Sequence, residues 1–216
     1  MGRKLKSPTR TISNRGDRPR YIGQIPCTKA DGDSLVFDSL SSLACCLWLE
    51  FRSDVVSIAF EPEMHKFEAT TTLPATKSIP DYSCVLNTGE IALVEAKYDA
   101  AALRPVEREK LRITIAHHEA AGHSYEVVSR TTLQKSGFIA TVLLLRPYGR
   151  LSYSANLLEQ AYERLRTCVP ATLEVWRENA LKAGVPVGVL YKLLYQQRLA
   201  FVPRPLAITE LRQCLG

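Results

Sequence analysis

A β-hairpin between residues 82 and 97 constrains the fold of this chain more than any other feature. Residues 82–86 and 91–97 are rich in strand-forming apolar residues, and Asn87-Thr88-Gly89-Glu90 between them is typical of a turn. We therefore predict two antiparallel strands at this point.

Periodicity predicts the elements around the hairpin. Strands are expected at 55–60, 65–71 and 124–129, and helices at 35–51, 106–121, 154–167, 171–183 and 187–196. Pro74 and Pro80 bracket an expected loop. The apolar run 138–145 fits either a strand or a helix, and 198–209 fits a short hairpin or a wing. This order predicts an α/β core, a mixed sheet flanked by helices, followed by a helical C-terminal part.

The division into domains follows from length and charge. Residues 1–20 are expected to be a disordered basic arm, 21–150 the α/β domain, and 151–216 a helical domain for partner contact. The arm has one acid and seven cations, so its excess equals the whole net charge of +6. These cations are Arg3, Lys4, Lys6, Arg10, Arg15, Arg18 and Arg20. They suit contacts to DNA phosphates, or else a solvated tail that aids solubility.

Cysteine spacing and hydropathy narrow the class of protein. The six cysteines include no C-x-x-C pair, which favours free thiols over a structural zinc site. The longest apolar run is much too short to cross a membrane, and no secretory signal is visible. We expect a soluble, cytoplasmic protein with no membrane partner.

The candidate site lies at one end of the hairpin. Asp81 begins the first strand, and Glu95 and Lys97 share one face near the end of the second. Two carboxylates are the hard oxygen ligands that Mg²⁺ prefers, with Mn²⁺ as a substitute, and Lys97 would neutralise negative charge. This set suits phosphodiester hydrolysis. A surface salt bridge between Glu95 and Lys97 is the simpler alternative.

Several segments together resemble one family. They are Ile79-Pro80-Asp81-Tyr82, Val94-Glu95-Ala96-Lys97, the lead-in from Tyr21 to Lys29, Phe37-Asp38-Ser39-Leu40, Leu49-Glu50-Phe51, Asp54-Val55, Glu61-Pro62 and 190–198. The chain thereby resembles the PD…ExK restriction-endonuclease-like superfamily and, within it, the TnsA endonuclease subunit of heteromeric Tns-type transposases. The resemblance covers most of residues 20–210, weakly between the motifs.

The resemblance implies a function, partners and a location. Such a subunit cuts the 5′ ends of the transposon in double-stranded DNA, while a DDE-type transposase cuts and joins the 3′ ends. Its C-terminal part would contact an AAA+ regulator, and the protein would be bacterial and associated with the nucleoid when active. Lys29, at the end of the lead-in, joins the expected DNA-binding residues.

One residue departs from the family pattern. The family has a catalytic Glu on its first helix where this chain has Ser42, and a hydroxyl lacks the charge of a carboxylate. Asp38, one turn earlier, or Glu61 could supply the missing ligand. Asp38 alternatively serves only as an acid at the start of the helix. If neither acid reaches the metal, the protein would be a weakened scaffold that bridges DNA, transposase and regulator.

Two further groups of residues leave alternatives open. Adjacent His117 and His118 point about 100° apart on a helix, so they chelate one metal poorly, and His65 and His123 are isolated in the sequence. Surface or partly buried helix histidines, rather than metal ligands, are the expectation. The basic residues Arg104, Arg108, Lys110 and Arg112 suit either phosphate contacts or a solvated face paired with Glu107 and Glu109.

Overall fold

The computed structural model describes residues 21–203, in two compact units that meet between Thr131 and Thr132. The predicted basic arm and its seven cations lie outside the described residues. The two units are described separately.

The first unit combines eight strands with two helices. Its elements are β1 (Gly23–Pro26), β2 (Ser34–Phe37), α1 (Leu40–Phe51), β3 (Val55–Phe60), β4 (His65–Phe67), β5 (Thr76–Ser78), β6 (Tyr82–Leu86), β7 (Ile91–Lys97), α2 (Pro105–Ala120) and β8 (Ser124–Ser129). A short 3-10 turn at Asp31–Asp33 separates β1 from β2.

A four-stranded mixed sheet, in the order β3-β6-β7-β8, forms the centre of this unit. The predicted hairpin β6–β7 and its neighbour β3 are antiparallel, whereas β8 pairs parallel to β7. Parallel neighbours need a crossover connection, and α2 provides it. The unit is therefore an α/β structure with a mixed sheet flanked by helices, as expected from the order of elements.

Burial explains why the hairpin is central. Tyr82 and Cys84 on β6, and Ala92 and Val94 on β7, are fully buried. Helix α1 contributes Cys45, Cys46, Leu47 and Leu49 to the same core. Both faces of the hairpin strands are covered, which accounts for their nearly continuous apolar sequence.

Two sequence predictions in this unit are wrong in part. The helix expected over 35–51 begins only at Leu40, because Ser39 caps it by accepting the amide of Ser42, and residues 35–37 pair as a strand with β1. The loop expected between Pro74 and Pro80 contains strand β5, which pairs with β4. Strand β4 itself ends at Phe67 rather than at residue 71 as predicted.

The second unit is helical. Helix α3 (Arg130–Lys135) lies at the division and was not foreseen; α4 (Phe138–Gly149), α5 (Ala155–Leu165), α6 (Leu173–Lys182) and α7 (Val187–Tyr195) follow. The ambiguous run 138–145 is thus helix, and the three later helices are confirmed. Trp176, Leu190, Leu193 and Leu194 are central to a separate apolar core.

Near its end the second unit contains one isolated β-bridge, between Ala171 and Phe201. The rest of the predicted hairpin or wing, from residue 204, lies outside the described residues. Within the described part of the chain, no helix is long and apolar enough to span a membrane.

Candidate active site

The hairpin register brings Asp81 and Glu95 side by side. Tyr82 pairs with Val94, so the residues just before and just after this pair, Asp81 and Glu95, lie next to each other at one end of the sheet. Asp81 Oδ2 accepts the backbone N–H of Ala96 at 2.7 Å, which fixes its carboxylate between Glu95 and Lys97.

Both oxygens of the Glu95 carboxylate have partners. Lys97 Nζ donates to Oε1 in an ion pair, and Tyr125 of β8 donates its hydroxyl to Oε2 at 3.2 Å. The salt bridge that sequence left as the simpler alternative therefore exists. It lies beside Asp81 and is largely shielded from solvent, with 17% of the Glu95 side chain exposed.

The electrostatics of Asp81 are those of a crowded acid. Burial, and next the negative charge of Glu95, raise the pKa of Asp81 to about 7; Asp38 acts in the same direction, against the Ala96 N–H and Lys97. A carboxyl group exposed to water normally loses its proton well below this pH. The site is therefore one in which added positive charge would stabilise the ionised acids.

A cavity of about 340 Å³ opens beside Glu95 and Lys97, although Asp81 itself does not line it. Its lining includes Glu95 and Tyr125 together with three lysines, Lys77, Lys97 and Lys110. A phosphate-bearing chain that entered this cavity would contact carboxylates as well as ammonium groups. Lys97 was predicted from the sequence as part of the site and Lys110 as a possible phosphate contact, whereas Lys77 was missed.

Asp38 and Glu61 are both held near Asp81. Asp38 lies just before α1, outside the helix, yet its charge contributes to the raised pKa of Asp81. The N–H of Glu61 donates to the carbonyl of Asp81 at 2.8 Å. Glu61 is buried and has φ +40°, a conformation that costs free energy in a non-glycine residue and is often found at functional sites.

Ser42 has a structural place of its own. Its side chain is 1% exposed, and its hydroxyl hydrogen-bonds with Tyr82 Oη, which also donates to the carbonyl of Val36 at 3.0 Å. Ser42 thus ties α1 to β6 within the core. The space next to it is filled by Tyr82, so the position is a packed interior one in this chain.

Lys29 is engaged away from the acids. Its ammonium donates to the carbonyl of Arg52, the residue that caps the C-terminus of α1, and burial lowers the pKa of Lys29. A cation at a helix C-terminus satisfies an otherwise orphaned carbonyl. Contact between Lys29 and DNA stays a prediction.

The donor chemistry of the site fits Mg²⁺. No three His, Cys, Asp or Glu side chains in the described part of the chain form a complete ligand shell. Mg²⁺ usually requires only one or two carboxylates, with water and substrate phosphates filling the other positions. Asp81 and Glu95 supply these two carboxylates, and their mutual repulsion would be relieved by a divalent cation.

The basic residues at the start of α2 are partly paired with acids. Arg104 with Glu107 and Arg112 with Glu109 form exposed ion pairs at 2.8 and 2.7 Å. This is the solvated face that sequence offered as one alternative. Lys110, in contrast, lines the cavity.

The sequence prediction that His65 and His123 are isolated is wrong. His65 and His123 are isolated in the chain but lie beside His118 in space, with ring centres 4.7 and 6.0 Å from that of His118. The pairing of β4 with β5 and the packing of α2 bring them together, and no local spacing reveals this.

Comparison with known proteins adds no identification: the chain matches no protein-family model, and no curated protein is significantly similar to it.

Proposed function

We propose that this chain is a Mg²⁺-dependent DNA endonuclease with a restriction-endonuclease-like core, acting as the TnsA-like subunit of a heteromeric Tns-type transposase. The observation that carries the proposal is the meeting of Asp81, Glu95 and Lys97 at one end of the central sheet, beside a cavity. The proposed reaction is hydrolysis of a phosphodiester at the 5′ ends of the transposon.

Asp81 and Glu95 would hold the cation. When bound, Mg²⁺ would stabilise charge on the phosphate and lower the pKa of a water nucleophile. Asp81 is prepared for this by its hydrogen bond from Ala96, which fixes the carboxylate. Glu95 is fixed from the other side by Tyr125.

Lys97 would act on the phosphate. Its ammonium is oriented by Glu95 and faces the same cavity, so it can neutralise charge that develops on a phosphate oxygen. Lys77 and Lys110 line that cavity too and would contact neighbouring phosphates of the strand. In the family that the chain resembles, a DDE-type transposase and an AAA+ regulator are the other components of the transposition complex.

End-labelled DNA that carries the transposon ends tests the proposal, with and without the transposase. Asp81→Asn and Lys97→Ala should each abolish Mg²⁺-dependent 5′-end cleavage, an expected loss of at least about 100-fold because each removes charge from the reacting centre. Glu119→Gln removes an exposed acid from α2 and serves as the matched control. Unchanged cutting by either site variant refutes the assignment.

A second function is favoured by one observation, the packed serine at position 42. If the missing helix carboxylate is essential, the protein is a scaffold that bridges DNA, transposase and regulator without cutting. The same assay separates the two functions: a scaffold supports 3′-end joining by the transposase equally well as wild type, Asp81→Asn or Lys97→Ala, and never cuts the 5′ ends.

A further inference from the structure

All four histidines of the chain meet in one region of the first unit. They come from the start of β4 (His65), the last turn of α2 (His117 and His118) and the residue before β8 (His123). His65 is far from the other three in the sequence, so its meeting with them is a property of the fold.

Three of these rings are spaced like metal ligands. The ring centre of His118 lies 4.7 Å from that of His65 and 6.0 Å from that of His123, and His65 and His123 are 5.9 Å apart. With metal–nitrogen bonds of about 2.0–2.1 Å and tetrahedral angles, the ring centres of three ligating imidazoles lie about 5 Å apart. The observed trio is within about 1 Å of that spacing.

His118, the middle member, is a buried polar group without a partner. Its side chain is 0% exposed, and neither ring nitrogen has a hydrogen-bond partner in the described part of the chain. Burying an unsatisfied polar group is costly, so such a group calls for a ligand or solvent molecule. A neutral imidazole offers a ring lone pair to a metal ion.

We propose that His65, His118 and His123 form a binding site for one divalent transition-metal ion of the Zn²⁺ class, separate from the proposed Mg²⁺ site. Imidazole nitrogens suit Zn²⁺, Co²⁺ and Ni²⁺, whereas Mg²⁺ prefers oxygen. The nitrogens do not converge as the side chains stand, as no group of three donors within residues 21–203 is set to hold an ion. Binding therefore requires the rings to turn about their side-chain torsions.

His117 does not belong to the site. Its ring stacks on Phe67 at 4.8 Å between centres, and its Nε2 lies 2.9 Å from the carbonyl oxygen of Pro74. Packing and hydrogen bonding already account for it. It therefore provides a matched control, a neighbouring histidine on the same helix.

A route for the ion reaches His123. This residue lines a second cavity, of about 330 Å³, together with Glu90 of the hairpin turn. A carboxylate at the cavity attracts cations. Bound metal would tie β4, α2 and β8 together and stabilise the first unit by mass action.

The test uses the full-length chain without an affinity tag, titrated with Co²⁺ as a spectroscopic probe for tetrahedral sites. We expect one Co²⁺ per chain with the intense visible bands of a tetrahedral site, in the wild type and in His117→Gln; any Co²⁺ held by Asp81 and Glu95 would be six-coordinate and give only weak bands. His65→Gln and His123→Gln should weaken binding by more than about 100-fold, beyond what changes to outer-shell residues cost. Asp81→Asn should bind Co²⁺ at this site as the wild type does.

Folding and specificity are checked in the same samples. Circular dichroism identifies variants that fold, and His123→Gln, at a partly exposed position, is informative even if His118→Gln fails to fold. The proposal is overturned if the wild type gives no intense ligand-field bands, if the folded histidine variants bind as the wild type does, or if a thiolate charge-transfer band places the ion on cysteine. A trio that only packs ring against ring would give the first of these results. None of these results depends on cleavage, so they leave the endonuclease proposal to its own assay.

Discussion

At the scale of single residues, Asp81 is an acid whose environment differs strongly from water. Its carboxyl is buried beside Glu95, and this raises the pKa of Asp81 to about 7. In the fold, without metal, the acid therefore holds its proton until near-neutral pH. Ionising Asp81 in the folded protein therefore lowers the free energy of unfolding.

This cost predicts a pH-dependent effect of Asp81→Asn on stability. The pKa of Asp81 is higher in the fold, about 7, than the ordinary value of 3.8, so the fold binds the proton more tightly. That stabilisation is complete below pH 3.8 and is lost as the pH rises to about 7. The free energy of unfolding of Asp81→Asn, measured relative to wild type, should therefore rise by on the order of 2 to 4 kcal/mol between pH 4 and pH 8. Thermal unfolding in EDTA at both pH values measures it.

Asp54→Asn is the control for this experiment. Asp54 is a half-exposed acid whose pKa is lowered by its hydrogen bonds from Arg52, the opposite direction from Asp81. Its stabilisation exists above the ordinary pKa and is lost at lower pH, so Asp54→Asn should gain nothing at pH 8. An Asp81→Asn difference that is the same at pH 4 and pH 8 would contradict the burial of this acid.

The sequence predicted some residues of the candidate site better than others. The juxtaposition of Asp81 with Glu95 and Lys97 follows from a hairpin and a two-residue period, both local properties. The core position of Ser42 and the histidine trio depend on contacts between distant segments, which no spacing in one sequence reveals. Tyr125, which holds Glu95, was missed for the same reason.

At the scale of elements, the hairpin, α2, β8 and the later helices agree with the sequence prediction because their signals are local. Turn residues, Pro105 at a helix start and regular apolar spacing suffice for them. Strands β2 and β5 were missed because each is short and is joined to its partner by a loop, residues 27–33 and 68–75, rather than by a tight turn that the sequence signals. Pairing overrode a pattern that resembled helix over residues 35–37.

A close approach between α4 and α7 gives a prediction for the second unit. A Cβ added at Gly149, the last residue of α4, would overlap the ring of Tyr195 at the end of α7. Gly149→Ala should therefore destabilise the protein by about 1–3 kcal/mol, although alanine usually stabilises a helix relative to glycine. Chemical denaturation monitored by circular dichroism measures the difference.

The double variant Gly149→Ala/Tyr195→Leu provides the control, because a smaller side chain at 195 leaves room for the new methyl group. The double variant should lose less stability than the sum of the two single changes. Additive losses would show that the ring does not limit position 149.

At the scale of the whole molecule, each compact unit has a core of its own. The core of the second unit includes Trp176, Leu190 and Leu194, and all its members lie within residues 145–199. A unit with its own buried core is expected to fold by itself.

A fragment of residues 132–216 should accordingly fold alone. Trp176 is 1% exposed and donates its indole N–H to the carbonyl of Ala200 at 2.9 Å. Because the only other tryptophan is Trp48, the fragment has a single emitter, and we expect blue-shifted fluorescence that shifts to red in one cooperative transition with urea. Red emission and random-coil circular dichroism without urea would contradict an independent core. Trp48→Phe in the full chain provides the reference spectrum for Trp176.

The order of strands in the central sheet affects how rigidly the backbone holds Asp81 and Glu95. The hairpin strands occupy the two interior positions, with β3 outside one and β8 outside the other. Their amide hydrogens are shared with neighbours on both flanks, so exchange with solvent should be slowest for the backbone that carries the candidate acids. Transient opening of the outer strands would leave Asp81 and Glu95 in register.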